Sequence, residues 1–145
     1  MNLSVREMEG YKVYRFGDDE PCAVVRTVCI HSAERIGAIA VDTCSLIPLR
    51  RFIKYEDIDC IKGKAVYLKP DCDAQYSYSA EDMQSGRGDA VCTADGKNCG
   101  ILRDYRVNAE TGEITDIVIS KNKISKKSKI PINKIYIKDN TIYIK

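Results

Sequence analysis

An internal repeat is the feature that most constrains what this chain can fold into. Residues Gly10 to Lys69 reappear, almost without gaps, as Gly88 to Lys145. The matched pairs include Val13 with Val91, Arg26 with Arg103, Ile39 with Ile117, Ile53 with Ile130 and Ile58 with Ile135. Two copies indicate a duplicated domain, because a solenoid needs roughly three or more repeats to bury a continuous core. The sequence therefore predicts two domains, residues 1–69 and 88–145, joined by a linker at residues 70–87.

The small size of each copy predicts that the two copies pack together. The chain has 145 residues, of which 44% are hydrophobic and 30% charged, so its composition is that of an ordinary globular protein. A domain of about 60 residues buries only about 60% of the surface that its unfolded chain exposes, which makes it marginally stable alone. We expect the two units to form an intramolecular pseudo-dimer.

Alternating apolar residues predict short β-strands in both copies. In the second copy, Ile101 to Val107 alternate, a polar turn follows at Asn108 to Gly112, and Ile114 to Ile119 form another run. The first copy repeats this hairpin, and each copy ends in a further hairpin whose turn contains Gly63 or Asn140. So many strands must hide their edges. The predicted fold is all-β: two small barrels in tandem, each of about five or six short antiparallel strands, with little helix.

The segments that precede each copy carry helix-start signals. Ser4 to Met8 and Ser79 to Met83 each place a serine where it can cap a single helical turn. In the polar linker, Tyr76 and Tyr78 share one side of an extended segment. We expect these two rings to pack on a barrel rather than recognise a ligand.

Seven cysteines are many for this length, and their odd number argues against a complete disulfide framework. They are Cys22, Cys29, Cys44, Cys60, Cys72, Cys92 and Cys99. No two are spaced C-x-x-C, and the two C-x6-C intervals do not superpose in the repeat, so neither a metal site nor a redox motif is predicted. Free cysteine serves well as a small apolar strand residue.

The chain shows no targeting or membrane-spanning pattern. Its first residues lack a basic stretch followed by an apolar one, and the longest apolar runs, such as Ile36 to Val41, are too short to cross a bilayer. The sequence therefore predicts a soluble, cytoplasmic protein with reduced thiols.

The turn glycines and strand residues of the second copy resemble the PRC-barrel domain. The segments that carry the resemblance are Gly88 to Val91, Asp95 to Asp104, Thr111 to Ile114 and Ile130 to Ile135. The first copy departs from this pattern, with Ala23 for Gly100, Thr27 for Asp104, Glu34 for Gly112 and Lys54 for Pro131. The family includes the cytoplasmic domain of the photosynthetic reaction-centre H subunit and the C-terminal domain of the bacterial ribosome maturation factor. The resemblance implies tandem barrels used for assembly, docking or regulation, and it brings no catalytic residue.

Catalytic and cofactor sites find little support in the residues themselves. The single histidine, His31, lies at a predicted turn, and its neighbour Cys29 lacks a third group to orient a catalytic dyad. Acidic clusters such as Asp18 to Glu20 are typical of solvated turns, and no glycine-rich phosphate loop opens a helix. We therefore predict no enzymatic activity, cofactor, metal or small-molecule substrate.

Positive charge is concentrated at the C-terminal end. Residues 118–145 hold eight lysines against one acid, Asp139, a net charge of +7, so the rest of the chain carries −5 within the total of +2. Five of these residues crowd into one predicted loop: Lys121, Lys123, Lys126, Lys127 and Lys129. Such a loop attracts RNA phosphates, an anionic membrane or an acidic partner. The alternative is a solvated loop that discourages edge-to-edge sheet pairing, and the loop has no arginine or aromatic residue for base stacking.

The repeated arginines, Arg26 and Arg103, fall on a predicted strand face that is otherwise apolar, shared with Val28 in one copy and Tyr105 in the other. Each arginine then either caps the barrel rim or reaches a carboxylate. We expect both to have a structural role at the contact between the two barrels.

These observations favour a non-enzymatic cytoplasmic adaptor that docks a protein partner through PRC-like barrels. The alternative is an RNA-binding or ribosome-assembly factor that uses the lysine-rich loop. The resemblance to the maturation factor supports this alternative, although the characteristic N-terminal domain of that factor is not found here. A membrane surface is the less favoured partner.

Overall fold

The structure, a computed structural model, is built from two β-sheets, and it describes residues 2–31, 35–72, 89–122, 124–138 and 141–145. The first half contains β1 (Asn2–Ser4), α1 (Val5–Met8), β2 (Lys12–Tyr14), β3 (Ala23–His31), β4 (Arg35–Thr43), β5 (Arg50–Lys54), β6 (Ile58–Lys62) and β7 (Ala65–Leu68). The second half contains β8 (Ala90–Thr93), β9 (Asn98–Asn108), β10 (Ile114–Ser120), β11 (Ser128–Pro131), β12 (Ile135–Lys138) and β13 (Thr141–Ile144). A 3-10 helix at Tyr55–Asp57 follows β5, and another at Ile132–Lys134 follows β11.

Several predicted features lie outside the described residues. These are most of the linker, with Tyr76, Tyr78 and the helical turn at Ser79 to Met83, and the turn residues 32–34 and 139–140. The helical turn at Ser4 to Met8 is confirmed as α1, with Ser4 as its N-cap. Gly63 has the positive φ that its hairpin turn requires, at 58°.

Each half of the chain forms one sheet, and the strand order is the same in both. The first sheet runs β5–β4–β3–β2–β7–β6, and the second runs β11–β10–β9–β8–β13–β12 with β1 added beside β9. The prediction of an all-β fold with five to six short strands per copy is confirmed, since each half contributes six strands in this order. The sheets are open rather than closed barrels. In the described chain, the first and last strands of each order do not pair with each other.

One strand pair in each sheet is parallel, which the prediction of antiparallel strands missed. β2 pairs in parallel with β7, and β8 with β13, for example at Val13 with Val66 and at Val91 with Ile142. The cause is the 3-10 helix after β5 or β11. This helix takes the chain to the opposite edge of the sheet and leaves the chain direction unchanged. The last strand of the closing hairpin therefore runs parallel to the first strand of the copy and pairs with it.

β-Bulges interrupt the alternation of the long hairpins at equivalent places in the two sheets. The unpaired extra residue is Arg26 in the β3–β4 pair and Arg103 in the β9–β10 pair. A bulge shifts the phase of the side chains that follow it, so Val25 and Val28 are both buried on either side of Arg26. The expectation that the two arginines share a face with the apolar residues after them is therefore wrong.

The two sheets share one hydrophobic core. Its fully buried members come from both halves: Met8, Ile36, Ile39, Ile53 and Leu68 from the first, and Val91, Leu102, Val107 and Ile117 from the second. The short helix α1 contacts both β3 and β9, and its residues Val5 and Met8 have no exposed surface. Each small sheet therefore gains buried apolar area from the other half, which offsets the limited core of a unit of this size.

Equivalent residues of the two copies pair with each other where the sheets meet. Arg35 and Glu113 occupy matching positions in the repeat and form an antiparallel β-bridge. The N–H of Ile36 donates a hydrogen bond to the carbonyl of Gly112 at 2.8 Å. A contact between equivalent positions is the signature of a two-fold interface, here within one chain.

Tyr55 makes a second, asymmetric contact between the halves. Its hydroxyl donates to the carbonyl oxygen of Ala109 at 2.6 Å, and its ring covers Gly112. Gly112 has a φ of +75°, and a Cβ atom there would lie 2.7 Å from Cδ1 of Tyr55. Burial raises the pKa of Tyr55 to about 12.

Among the described residues, no helix has the length and apolar character needed to cross a membrane.

Candidate functional site

The lysine-rich loop connects β10 to β11, the strand that ends the order of the second sheet. Lys121, Lys126, Lys127 and Lys129 are exposed, while Lys123 lies outside the described residues. The side-chain oxygen of Asn122 accepts hydrogen bonds from the N–H groups of residues 124 and 125, at 3.0 and 2.8 Å. This Asx turn supports the lysines on a hydrogen-bonded backbone.

A cavity of about 590 Å³ lies beside this loop and has a mainly basic wall. Four cationic side chains line it: Arg6, Arg106, Lys127 and Lys129. The other lining residues are Ser4, Glu7, Asp104 and Val118. We call this cavity the basic cleft.

Strand register explains why these residues meet on the outer face of the second sheet. Val118 alternates along β10 with two core residues, so its side chain lies on the face away from the core. Lys129 pairs with Val118, Val118 pairs with Asp104, and Arg106 lies two residues farther along β9 on the same face. Neighbouring strands are about 4.8 Å apart, so the row from β11 to β9 spans about 10 Å.

Asp104 forms the floor of the cleft and is only 8% exposed. One carboxylate oxygen accepts hydrogen bonds from the backbone N–H groups of Arg6 at 3.1 Å and Tyr105 at 2.8 Å, and the other accepts the hydroxyl of Ser4. These donors compensate the cost of burying the carboxylate. They also join β1 and α1 to β9, so the N-terminal segment becomes one wall of the cleft.

The lining of the cleft has an excess of positive charge. Within the described ranges, no salt bridge involves Arg6, Arg106, Lys127 or Lys129. The lining has four cationic groups against two carboxylates, and one of those carboxylates is the buried, hydrogen-bonded Asp104. The cleft therefore presents uncompensated positive charge to solvent.

The matching face of the first sheet has different chemistry. The equivalent residues are Arg50 for Lys127, Phe52 for Lys129, Ala40 for Val118, Thr27 for Asp104 and Cys29 for Arg106. Cys29, Ala38 and Ala40 form a small buried cluster with Phe52 packed against it. The same strand order thus supports an apolar face in one half and a cationic face in the other.

The loop that matches the lysine-rich loop is apolar. It joins β4 to β5, and Leu46, Ile47 and Leu49 are 101%, 75% and 47% exposed. The hydroxyl of Thr43 accepts the N–H of Leu49 at 2.9 Å, and the hydroxyl of Ser45 donates to the carbonyl of Ile47 at 2.8 Å. Sequence reasoning missed this apolar loop. The signal was a leucine, an isoleucine and a proline in a turn where the other copy has lysines.

Of the repeated arginines, Arg26 makes its described ion pair within its own sheet. Asp42 on β4 accepts hydrogen bonds from Arg50 at 2.7 Å and from Arg26 at 2.5 Å. The hydrogen bonds from Arg50 first, and then from Arg26, lower the pKa of Asp42. Arg103 is half-buried. The inter-barrel role expected for the two arginines stays a prediction.

None of the seven cysteines forms a disulfide bond. Burial raises the pKa of Cys22, which lowers the fraction of reactive thiolate. Across the described ranges, no three histidine, cysteine, aspartate or glutamate side chains are arranged so that they could hold a metal ion. The side chain of His31 lies outside the described residues, so the pairing with Cys29 is left untested.

Comparison with known families identifies a PRC-barrel domain at residues 85–145. This match covers β8 to β13, and the assignment of the first half of the chain to the same family stays a prediction. No curated protein matches the chain. A PRC-barrel domain indicates a binding or adaptor module.

Proposed function

We propose that the protein is a non-enzymatic cytoplasmic adaptor in which two PRC-like barrels, one from each half, act together to dock a protein partner. The shared strand order and the matching bulges at Arg26 and Arg103 support a PRC-like first half. The continuous core supports the idea that both halves move as one unit.

The exposed apolar loop between β4 and β5 carries this proposal. Soluble proteins place clustered exposed apolar side chains mainly at interaction sites, because exposing them to water is unfavourable. Thr43 and Ser45 hydrogen-bond to the backbone of Leu49 and Ile47, so local hydrogen bonds support the backbone of the loop that exposes Leu46 and Ile47. Arg50 and Arg51 follow directly and add a charged rim, as protein interfaces commonly have.

The test is capture of cross-linked partners from the lysate of the native cells. The wild-type protein is compared with the double variant Leu46→Asp and Ile47→Asp, and half of each sample is treated with nuclease. Ile124→Asp is the matched control, because Ile124 is 95% exposed on the equivalent loop of the second sheet. We expect a protein that survives nuclease, is retained by the control and is lost with the double variant. Equal capture by the double variant would contradict the proposal.

A second candidate function is RNA binding or ribosome assembly through the lysine-rich loop. The exposure of Lys121, Lys126, Lys127 and Lys129 supports it, because clustered lysines attract phosphates. In the same experiment, ribosomal components that disappear after nuclease treatment would favour this candidate. Replacing the loop lysines with glutamine would then abolish their capture.

A further inference from the structure

We infer that the basic cleft binds an extended acidic peptide segment of the protein partner, with the carboxylates of the segment held by Arg6, Arg106, Lys127 and Lys129. This inference rests on the proposed adaptor function and specifies where the second sheet contacts the partner. The four cations converge on one cavity: Arg6 from α1, Arg106 from β9, and Lys127 and Lys129 from the β10–β11 connection and from β11.

The charge of the cleft is not a requirement of the fold. Its row of Lys129, Val118 and Asp104 corresponds to Phe52, Ala40 and Thr27 in a sheet with the same order and bulges. In the first half, the cation equivalent to Lys127 is Arg50, and it is paired with Asp42. The second sheet thus has the same strand order with cations that have no ion-pair partner among the described residues, and an external anion is the group that would compensate them.

The shape and lining of the cleft favour a peptide over a nucleic acid. A volume of about 590 Å³ suits several residues of an extended chain. The two arginine guanidinium groups match carboxylates in planar, two-point geometry, and Val118 offers apolar contact. The described lining includes no aromatic ring on which a base could stack, and Glu7 and Asp104 would repel a continuous phosphate backbone.

The hydrogen-bonded floor gives the site a fixed shape. Asp104 is tied to Ser4, Arg6 and Tyr105, so the wall formed by α1 is held against β9 before any ligand arrives. A site prepared in this way loses less conformational entropy on binding than a mobile loop would. The binding surface is therefore larger than the lysine-rich loop, because Arg6 and Arg106 lie outside that loop.

The experiment measures fluorescence anisotropy of a labelled peptide of alternating glutamate and glycine, added to the full chain at low and at near-physiological salt. We expect binding to the wild-type protein that weakens as salt rises. The double variant Arg106→Glu and Lys129→Glu should bind at least about tenfold more weakly. The control Lys69→Glu and Lys97→Glu makes the same change in net charge at exposed positions outside the cleft, and it should bind nearly as well as the wild type.

Three results would overturn the inference. The first is no binding of the peptide to the wild-type protein, and the second is an equal loss of peptide binding in both double variants. The third is displacement of the labelled peptide by an oligouridylate of the same charge at a lower concentration than the unlabelled peptide needs. Thermal denaturation checks that the variants are folded, and the milder pair Arg106→Gln and Lys129→Gln replaces the glutamate pair if that pair unfolds. The outcome is separable from that of the adaptor test. Loss of capture through Leu46 and Ile47 tests the adaptor, whereas the peptide tests the cleft alone.

Discussion

The two β4–β5 and β10–β11 loops hold the same place in their sheets and have opposite surfaces. The first exposes Leu46 and Ile47, and the second exposes lysines. Each is held by local side-chain to backbone hydrogen bonds, from Thr43 and Ser45 in one loop and from Asn122 in the other. The duplicated fold therefore places two loops at equivalent positions, and the side chains of each loop determine what that half can contact.

The outer sheet faces repeat this contrast. On the first sheet, Phe52 packs against a buried cluster of Cys29, Ala38 and Ala40. The second sheet has a cleft lined by cations at the equivalent place. The interior does not show this difference, because both halves contribute apolar residues to one core. A shared interior with divergent surfaces is what an adaptor needs to hold two different contacts in fixed relation.

The largest expected effect tests whether the halves are one cooperative unit. Gly112→Ala should lower the free energy of unfolding by about 3 kcal/mol, because the new Cβ adds left-handed strain and collides with the Tyr55 ring of the other half. The control is Gly96→Ala, which has a similar φ of +86° but open space around it, and should cost about 1 kcal/mol. Chemical denaturation measures both. Equal losses would show that the contact between the halves adds little.

A smaller effect is expected from the floor of the cleft. Asp104→Ala leaves the hydroxyl of Ser4 and two N–H groups without their acceptor, and should cost about 2 kcal/mol. Thr27→Ala is the equivalent change in the first sheet, and we expect a cost of about 0.5 kcal/mol. Urea denaturation of the two variants gives the comparison. Similar values would mean that the second sheet does not depend on its buried carboxylate.

The hydroxyl of Tyr55 is expected to contribute about 1 kcal/mol through its bond to Ala109, which Tyr55→Phe removes. Its pKa of about 12 in the folded chain exceeds the ordinary value of 10. The folded state therefore holds its proton more tightly, and the stability from this group is present below pH 10 and is lost as pH rises toward 12. Stability measured against pH should fall less steeply in this range for the phenylalanine variant, and an unchanged slope would contradict the assignment.

Charge reversal at the two bulges tests the predicted inter-barrel role. Arg26→Glu places a second carboxylate beside Asp42, whereas Arg103→Glu lies on the strand next to Ser120, which is the residue equivalent to Asp42. We expect each to lower the thermal denaturation midpoint modestly. If neither variant changes the midpoint, the arginines have no structural role between the halves.

Patterns of residues predicted the fold well where they were local and periodic. The repeat and the alternation of Ile114 to Ile119 led to all-β units with the right strand number. The parallel pairs and the open sheets could not be predicted from alternation. They depend on the direction in which the chain leaves a three-residue 3-10 helix. The bulges were missed for a related reason: a single extra residue at Arg26 shifts the alternation without changing composition.

The candidate site was predicted only in part. Lys127 and Lys129 stood out as members of a charge cluster. Arg6 and Arg106 did not, because they are distant in sequence from the lysines. Arg106 meets them through the pairing of β9 with β10 and of β10 with β11, and Arg6 through the pairing of β1 with β9. The apolar loop at Leu46 was not predicted, because leucine and isoleucine side chains are most often buried in the core.

The smallest effect concerns Asp42, which the second copy replaces with Ser120. Asp42→Ser imports that residue into the first sheet, and we expect almost no change in the midpoint of thermal denaturation, because the ion pairs of Asp42 lie on an exposed face. The pairs should be visible by titration instead: since Arg50 is the larger cause of the lowered pKa, Arg50→Gln should raise the pKa of Asp42 more than Arg26→Gln does. NMR of the carboxyl carbon measures both shifts. A larger shift with Arg26→Gln would make the bulge arginine the main partner of Asp42. The two bulge arginines would then differ, because the second copy has Ser120, which carries no carboxylate, in the place of Asp42.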